Sequence, residues 1–400
     1  MTFNKGFKKW DRPYLFHDLE VTLRSMPEKK RNNIVRLAIG DPDLPTPEGI
    51  KEALCRSVRS KYYGYPCTQG RIDLREAIVE YYQKRFKVMV HPDEIIIGPG
   101  AKTDLFDLGQ VFSNPGNQAM ILDPAYPVYC DTALYHGLNP IYLKGSESNN
   151  YQPPIPSDID ISSTDLIFSC YPNNPTGVTA SRSYIKELLE FAISSKSMLI
   201  FDIAYADFIP GAGTSEAFSV FNLPGAEEVG IEVGSFSKPF SMTGYRISWT
   251  VIKNPIARQQ WLRFRSNKDS GVSDHIQTAA FHALTDSFVA QDVVHNMKIY
   301  GERASLLVNG LRELGLMVRD LKNTPYAWFS SPISDSKLAA KIILEKALVQ
   351  VTPGVGFGSA GEGFLRATIF QSDELIEEAL SRLKTIHLSE YINAENTDAV

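Results

Sequence analysis

The rhythm of the chain restricts its fold more than any other feature. Five short apolar runs, "DEIIIGPG" from Asp93, "QAMILDPAY" from Gln118, "TDLIFSCYPNNPTG" from Thr164, "SMLIFDIAY" from Ser197 and "GIEVGSFSK" from Gly230, each end in small, polar or glycine residues. Between them "LREAIVEYYQKRF" and "SRSYIKELLEFAISSK" carry apolar residues at helical spacing. Strand, loop and helix in repetition predict an α/β fold, a mostly parallel sheet covered by helices. Ligands of such folds gather at the carboxyl ends of the strands. All five polar loops are predicted to lie there.

Beyond about residue 280 the pattern changes. "MKIYGERASLLVNGLRELG" reads as one long helix, "YAWFSS" and "FLRATIF" as strands, and "DELIEEALSRLKTIHL" as a final amphipathic helix. With 400 residues, too many for one small core, the expected organisation is an N-terminal segment (1–40) packed with a small C-terminal domain (286–400), and a large domain (41–285) between them.

Composition excludes several functions. Lys and Arg total 41 against 46 Asp and Glu, a formal net charge of -5, which leaves no basic footprint for nucleic acid. No apolar run reaches membrane-spanning length, and the lysines of "MTFNKGFKKWDRPYLFHDLE" precede no apolar stretch of a secretory signal. Four scattered cysteines form neither a zinc site nor a disulfide framework, so no metal is expected. The expected compartment is the cytoplasm.

The strand-end loops supply complementary chemistry. Lys238 follows a strand, and a lysine held at a sheet edge can offer its amine to an aldehyde as a Schiff base. Ser235, Ser237 and Arg246 around it suit a phosphate dianion. "GPGAKTDLFDLG" adds a glycine turn entering a helix at Ala101 and Lys102, whose N–H groups make the second half of a phosphate cup. Asp202 could pair with a protonated ring nitrogen and make the ring a better electron sink. Asn174 and the Tyr205 hydroxyl could bond a ring oxygen, and Tyr126 could stack on the ring. Singly, these residues read as a cap, a turn and core packing. Together they describe a pyridoxal phosphate site.

The order "NNPTG", "DIAYADF", "SFSKPFSMTGYR" and "FLRATIF" resembles the class I/II aminotransferases of fold type I across nearly the whole chain. The resemblance implies pyridoxal 5'-phosphate carried on Lys238 and a ring nitrogen met by Asp202. It also implies a substrate α-carboxylate gripped by Arg366, in a homodimer with shared active sites. "RPYLFHDL", "RLAIGDPDLPTPEGI", "GAKTDL" and "WLRFRSNKDSGVS" further resemble the LL-diaminopimelate aminotransferase family. That family converts LL-diaminopimelate and 2-oxoglutarate to tetrahydrodipicolinate and glutamate, supplying lysine and peptidoglycan precursors. It implies Tyr14, Gly40, Lys102, Tyr126, Asn174 and Arg366 near the substrate, with Tyr65 and the Ser270 region arriving from the other subunit.

Two positions depart from that family's pattern. "YPCTQG" places Thr68 where a glutamate is usual, and "DSG" places Ser270 where an asparagine is usual, which points to a relaxed substrate range. A broad aspartate- or aromatic-type aminotransferase and a pyridoxal phosphate lyase would share the cofactor residues. An effector-binding module would need an attached DNA-binding domain, for which the residues ahead of Tyr14 leave no room.

Overall fold

The computed structural model describes residues 14–60, 64–156, 161–209 and 217–386. After β1 (Val35–Arg36), seven strands build one sheet: β2 (Ile95–Gly98), β3 (Gln118–Asp123), β4 (Asn139–Lys144), β5 (Thr164–Cys170), β6 (Met198–Asp202), β7 (Gly230–Ser235) and β8 (Ser248–Ile252). Their order is β2-β8-β7-β6-β5-β3-β4. β3 to β7 pair in parallel, whereas β8 runs antiparallel to both β7 and β2. The five predicted strands are present. β4 and the reversed β8 complete the sheet.

The strands are buried on both faces because side chains alternate between two cores. Leu166 and Phe168 of β5 join one cluster with Ile200, Ile231 and Val233. Ile167 points the other way, among Leu199, Phe201, Trp249 and Tyr82. Helices predicted from spacing lie over these faces as Ile72–Phe86 and Arg182–Ser195. The second begins where Ser181 accepts the Tyr184 N–H at 3.2 Å, an N-cap that fixes its start.

The reversal at β8 matters for function. β2, β3, β5, β6 and β7 end at one edge of the sheet, and β8 starts there. The connection from Lys238 to Arg246 therefore never leaves that edge.

A three-stranded antiparallel sheet follows the long helix Ser287–Glu313. It contains β9 (Tyr326–Ser330), β11 (Thr352–Pro353) and, at its centre, β12 (Phe364–Thr368). β10 (Val349–Gln350) pairs in parallel with β1, and the Thr368 N–H donates to the Leu37 carbonyl at 2.8 Å. These bonds deliver Ile39 and Gly40 to the strand-end edge of the large sheet. Among the described residues no helix is long and apolar enough to cross a membrane.

Candidate active site

A cavity of about 360 Å³ opens at that edge and is lined by residues of β5, β6, β7, β9 and β12, of the segments that follow β2, β3, β5, β6 and β7, and of the chain before β2. At one end lie Ala101, Lys102, Ser235, Ser237 and Arg246. Gly100, with φ of +103°, caps the helix Ala101–Phe112. A Cβ on Gly100 would sit 2.4 Å from the Arg246 guanidinium, so the turn and the arginine form one cradle that only glycine leaves open. The first N–H groups of a helix have no acceptor within it and favour an anion.

A buried network supports this turn from behind. Ser248 Oγ accepts the Gly100 N–H at 3.0 Å and donates to Asp104. Arg265 meets Asp104 at 3.2 Å, both fully buried, and also grips Asp269 at 3.0 and 3.1 Å. Burial pushes the Asp104 carboxyl up to about 6 despite that arginine.

Asp202, 4% exposed, stands at the end of β6 beneath the cavity. Its Oδ1 accepts the Ala204 N–H at 3.0 Å and its Oδ2 the Tyr129 hydroxyl at 2.8 Å. Burial without a cationic partner pushes it up to about 6, against the pull of these two donors. A positively charged group placed there would restore the carboxylate. Tyr126 lies edge-to-face with Tyr129, centroids 5.9 Å apart, and its hydroxyl is 3.4 Å from that of Tyr14.

Asn173 and Asn174 divide the work of the "NNPTG" loop. Asn173 Oδ1 accepts the Thr176 N–H and hydroxyl at 3.1 and 2.8 Å and builds the turn. Asn174, freed by that turn, donates Nδ2 to the Tyr205 hydroxyl at 3.2 Å and accepts Arg366 Nη1 at 2.7 Å. Arg366, 1% exposed, gives Nη2 to the Ala38 carbonyl at 2.7 Å and leaves its buried Nε without a partner. Lys238 Nζ donates to the Gly40 carbonyl. The Lys102 ammonium sits 3.8 Å from the Tyr14 ring centroid.

Of the residues singled out from sequence, Tyr65, Thr68 and Ser270 lie outside the cavity and all the others line it. Tyr65 is 88% exposed. Thr68 and Ser270 meet each other, the Thr68 hydroxyl donating to the Ser270 carbonyl at 3.4 Å. Among the lining residues that escaped sequence reasoning, Tyr129 and Tyr326 have hydroxyls bonded into the site. The Tyr-x-x-Tyr spacing of Tyr126 and Tyr129 was the available signal for the first. For Tyr326, at the head of an apolar strand, there was none.

The donor set fits pyridoxal phosphate. A glycine-lined anion cradle lies at one end, a buried carboxylate held up near 6 for want of a cation lies beneath, and hydroxyl and amide donors line the side. The unpartnered Arg366 Nε is a further donor, suited to a carboxylate.

The family model for aminotransferase class I and II matches residues 32–383. An LL-diaminopimelate aminotransferase of Halothermothrix orenii is 35% identical over 378 residues, covering 93% of this chain and 95% of that protein. Among solved structures, the L,L-diaminopimelate aminotransferase of Chlamydomonas reinhardtii superposes with a TM-score of 0.84 at 32% identity, over 97% of this chain and 99% of that one. The substrate-bound BacF structure from Bacillus subtilis superposes at 0.89 and 30% identity, over 97% and 98%.

Proposed function

The chain belongs to the class I and II aminotransferases, and from that premise we propose that it transfers an amino group from LL-2,6-diaminopimelate to 2-oxoglutarate. The products are glutamate and a 2-oxo acid that closes on its own distal amine, with loss of water, to tetrahydrodipicolinate. The single observation carrying the substrate is the match along 93% of the chain to a relative named for it. This reaction would supply precursors of lysine and peptidoglycan.

The enzyme uses pyridoxal phosphate, which when bound supplies a carbonyl carbon to take the amino group and a ring that draws electrons from the substrate α-carbon. Lys238 is the residue that anchors it, and Lys238 Nζ, once free, holds and returns the α-proton. Arg246, Ser235, Ser237 and the Ala101 and Lys102 N–H groups hold its phosphate. Asp202 faces the ring nitrogen, Asn174 and Tyr205 the ring oxygen, and Tyr126 the ring face. Arg366 orients the substrate carboxylate, with Tyr14, Gly40 and Lys102 toward its distal part.

The working unit in this reading is a cytoplasmic homodimer. Tyr65, Thr68 and Ser270 serve the partner's cavity, which accords with their position outside their own. The large domain spans 41–285 and the small one 286–400 with 1–40. A broader aspartate- or aromatic-type range is the second reading, favoured by Thr68 and Ser270 and by superposition on solved structures named as aromatic and aspartate aminotransferases, at 27% and 26% identity.

One half-reaction tests the substrate. With pyridoxal phosphate bound, LL-diaminopimelate alone should convert the cofactor to its amino form by absorbance, and 2-oxoglutarate should reverse it. Conversion by glutamate but not by LL-diaminopimelate would overturn the substrate and leave the transaminase; consumption of the amino acid with no net conversion of the cofactor and no need of 2-oxoglutarate would point to a lyase.

A further inference from the structure

Arg366 is a buried cation, and among the described residues no carboxylate lies within ion-pair distance of it. Burial alone pulls its guanidinium below the usual arginine range. Aromatic rings surround it instead. The guanidinium carbon lies 4.1 Å from the Tyr326 ring centroid, 4.7 Å from Phe357 and 5.4 Å from Phe16. Ring faces attract a cation without neutralising it. A resident carboxylate would have quenched the charge that an incoming one needs.

Tyr326 differs from the other two rings because it is tied in at both ends. Arg366 pairs with Trp328 and Thr368 with Tyr326 across β9 and β12, so Tyr326 and Arg366 are diagonal neighbours on one face of the small sheet. The Tyr326 hydroxyl lies 3.2 Å from that of Tyr205. Tyr205 accepts from Asn174, which in turn accepts from Arg366. Arg366, Asn174, Tyr205 and Tyr326 thus close a ring of contacts. A Cβ at residue 40 would fall 2.0 Å from the Tyr326 oxygen, so Gly40 makes the room this phenol occupies.

We propose that Tyr326 is a positioning residue for the substrate carboxylate. Its ring holds the Arg366 guanidinium in place at the cavity wall, and its hydroxyl ties that arginine, through Asn174, to Tyr205. The carboxylate grip and the hydroxyl facing the cofactor then move as one unit. The inference rests on Arg366 being the carboxylate site.

The test measures glutarate, a dicarboxylate without an amine, binding to the holoenzyme by calorimetry. Tyr326→Phe, which keeps the ring, should bind within about twofold of the parent, whereas Tyr326→Leu and Tyr326→Met should bind about tenfold more weakly. Tyr326→Phe should also shift the pH midpoint of the bound cofactor's absorbance, because Tyr205 loses a hydroxyl neighbour. Thermal melting checks that each variant folds, and Tyr326→Met serves if Tyr326→Leu does not. Arg366→Met separates the two levels of inference. If it binds glutarate normally, Arg366 is not the carboxylate site. If it fails while Tyr326→Met binds like the parent, Arg366 stands and the role of Tyr326 is overturned. Equal weakening in Tyr326→Phe and Tyr326→Met would overturn the part assigned to the ring.

Discussion

The Tyr129 hydroxyl donates to Asp202 Oδ2 at 2.8 Å from a ring stacked on Phe168, centroids 5.2 Å apart and planes 14° from parallel. Burial raises the Asp202 carboxyl to about 6, and this hydrogen bond works against the rise. Only the ionised carboxylate attracts a protonated ring nitrogen, so cofactor affinity should fall as pH drops through 6. Tyr129→Phe keeps the stacked ring and removes the donor. A hydrogen bond to a charged group contributes about 1.5 kcal/mol or more, so the midpoint should move up by about one pH unit. Titrating cofactor-free protein with pyridoxal phosphate between pH 5 and 8 checks this. Asp202→Asn gives the reference from which the titrating carboxylate is absent. An unmoved midpoint would remove Tyr129 from the site's electrostatics.

Lys238→Ala should abolish turnover while the phosphate cradle still binds the cofactor. Borohydride treatment followed by mass spectrometry makes the distinction. The parent should gain the mass of the cofactor on the peptide containing Lys238, and the variant should gain none. Cofactor attached elsewhere, or turnover that persists, would undo the assignment of Lys238.

The strand ends were legible in the sequence because their signals are local. An apolar run, a turn residue and a reactive side chain within a few positions of Lys238 or Asp202 state both a strand and its chemistry. Strand direction has no such local mark, and the reversal of β8 went unread. β4 was hidden by its half-exposed alternation and Pro140, as suits an edge strand. Tyr129 acquires its role only when Asp202 is brought beneath it by the pairing of β3, β5 and β6. Tyr326 reads as an ordinary core residue until the register of β9 on β12 and the bare Cα of Gly40 place it against Arg366.

Thr68 and Ser270 touch through one hydrogen bond, so changes at the two positions should not be independent. With Thr68 serving the partner's cavity, as proposed, Thr68→Glu would put a carboxylate where it can meet a distal substrate ammonium. It should raise kcat/KM for LL-diaminopimelate relative to aspartate and aromatic amino acids by about tenfold, the scale of one exposed-to-partly-buried ion pair. The Thr68→Glu, Ser270→Asn double variant should depart from the product of the single effects. Steady-state kinetics on a panel of amino acids tests both statements, and unchanged selectivity ratios would show that neither position governs substrate range.

Glu232 lies fully buried on β7, six residues before Lys238, with its Oε1 accepting the Val220 N–H at 2.6 Å. Burial pushes its carboxyl up to about 7 from 4.5, outweighing the Ser219, Val220 and Tyr82 donors around it. Below about pH 4.5 the folded and unfolded chains are both protonated there, and the group has no effect on stability. Between 4.5 and 7 the unfolded chain releases its proton while the folded one retains it, so stability falls with rising pH. Above pH 7 the full cost, of order 3 kcal/mol, is present. Glu232→Gln keeps an oxygen for the Val220 N–H and cannot ionise. Its thermal midpoint should therefore match the parent's near pH 4.5 and exceed it by several degrees at pH 8, at fixed protein and cofactor concentrations. A gap that failed to widen with pH would mean that Glu232 ionises as readily in the folded protein as in the unfolded chain.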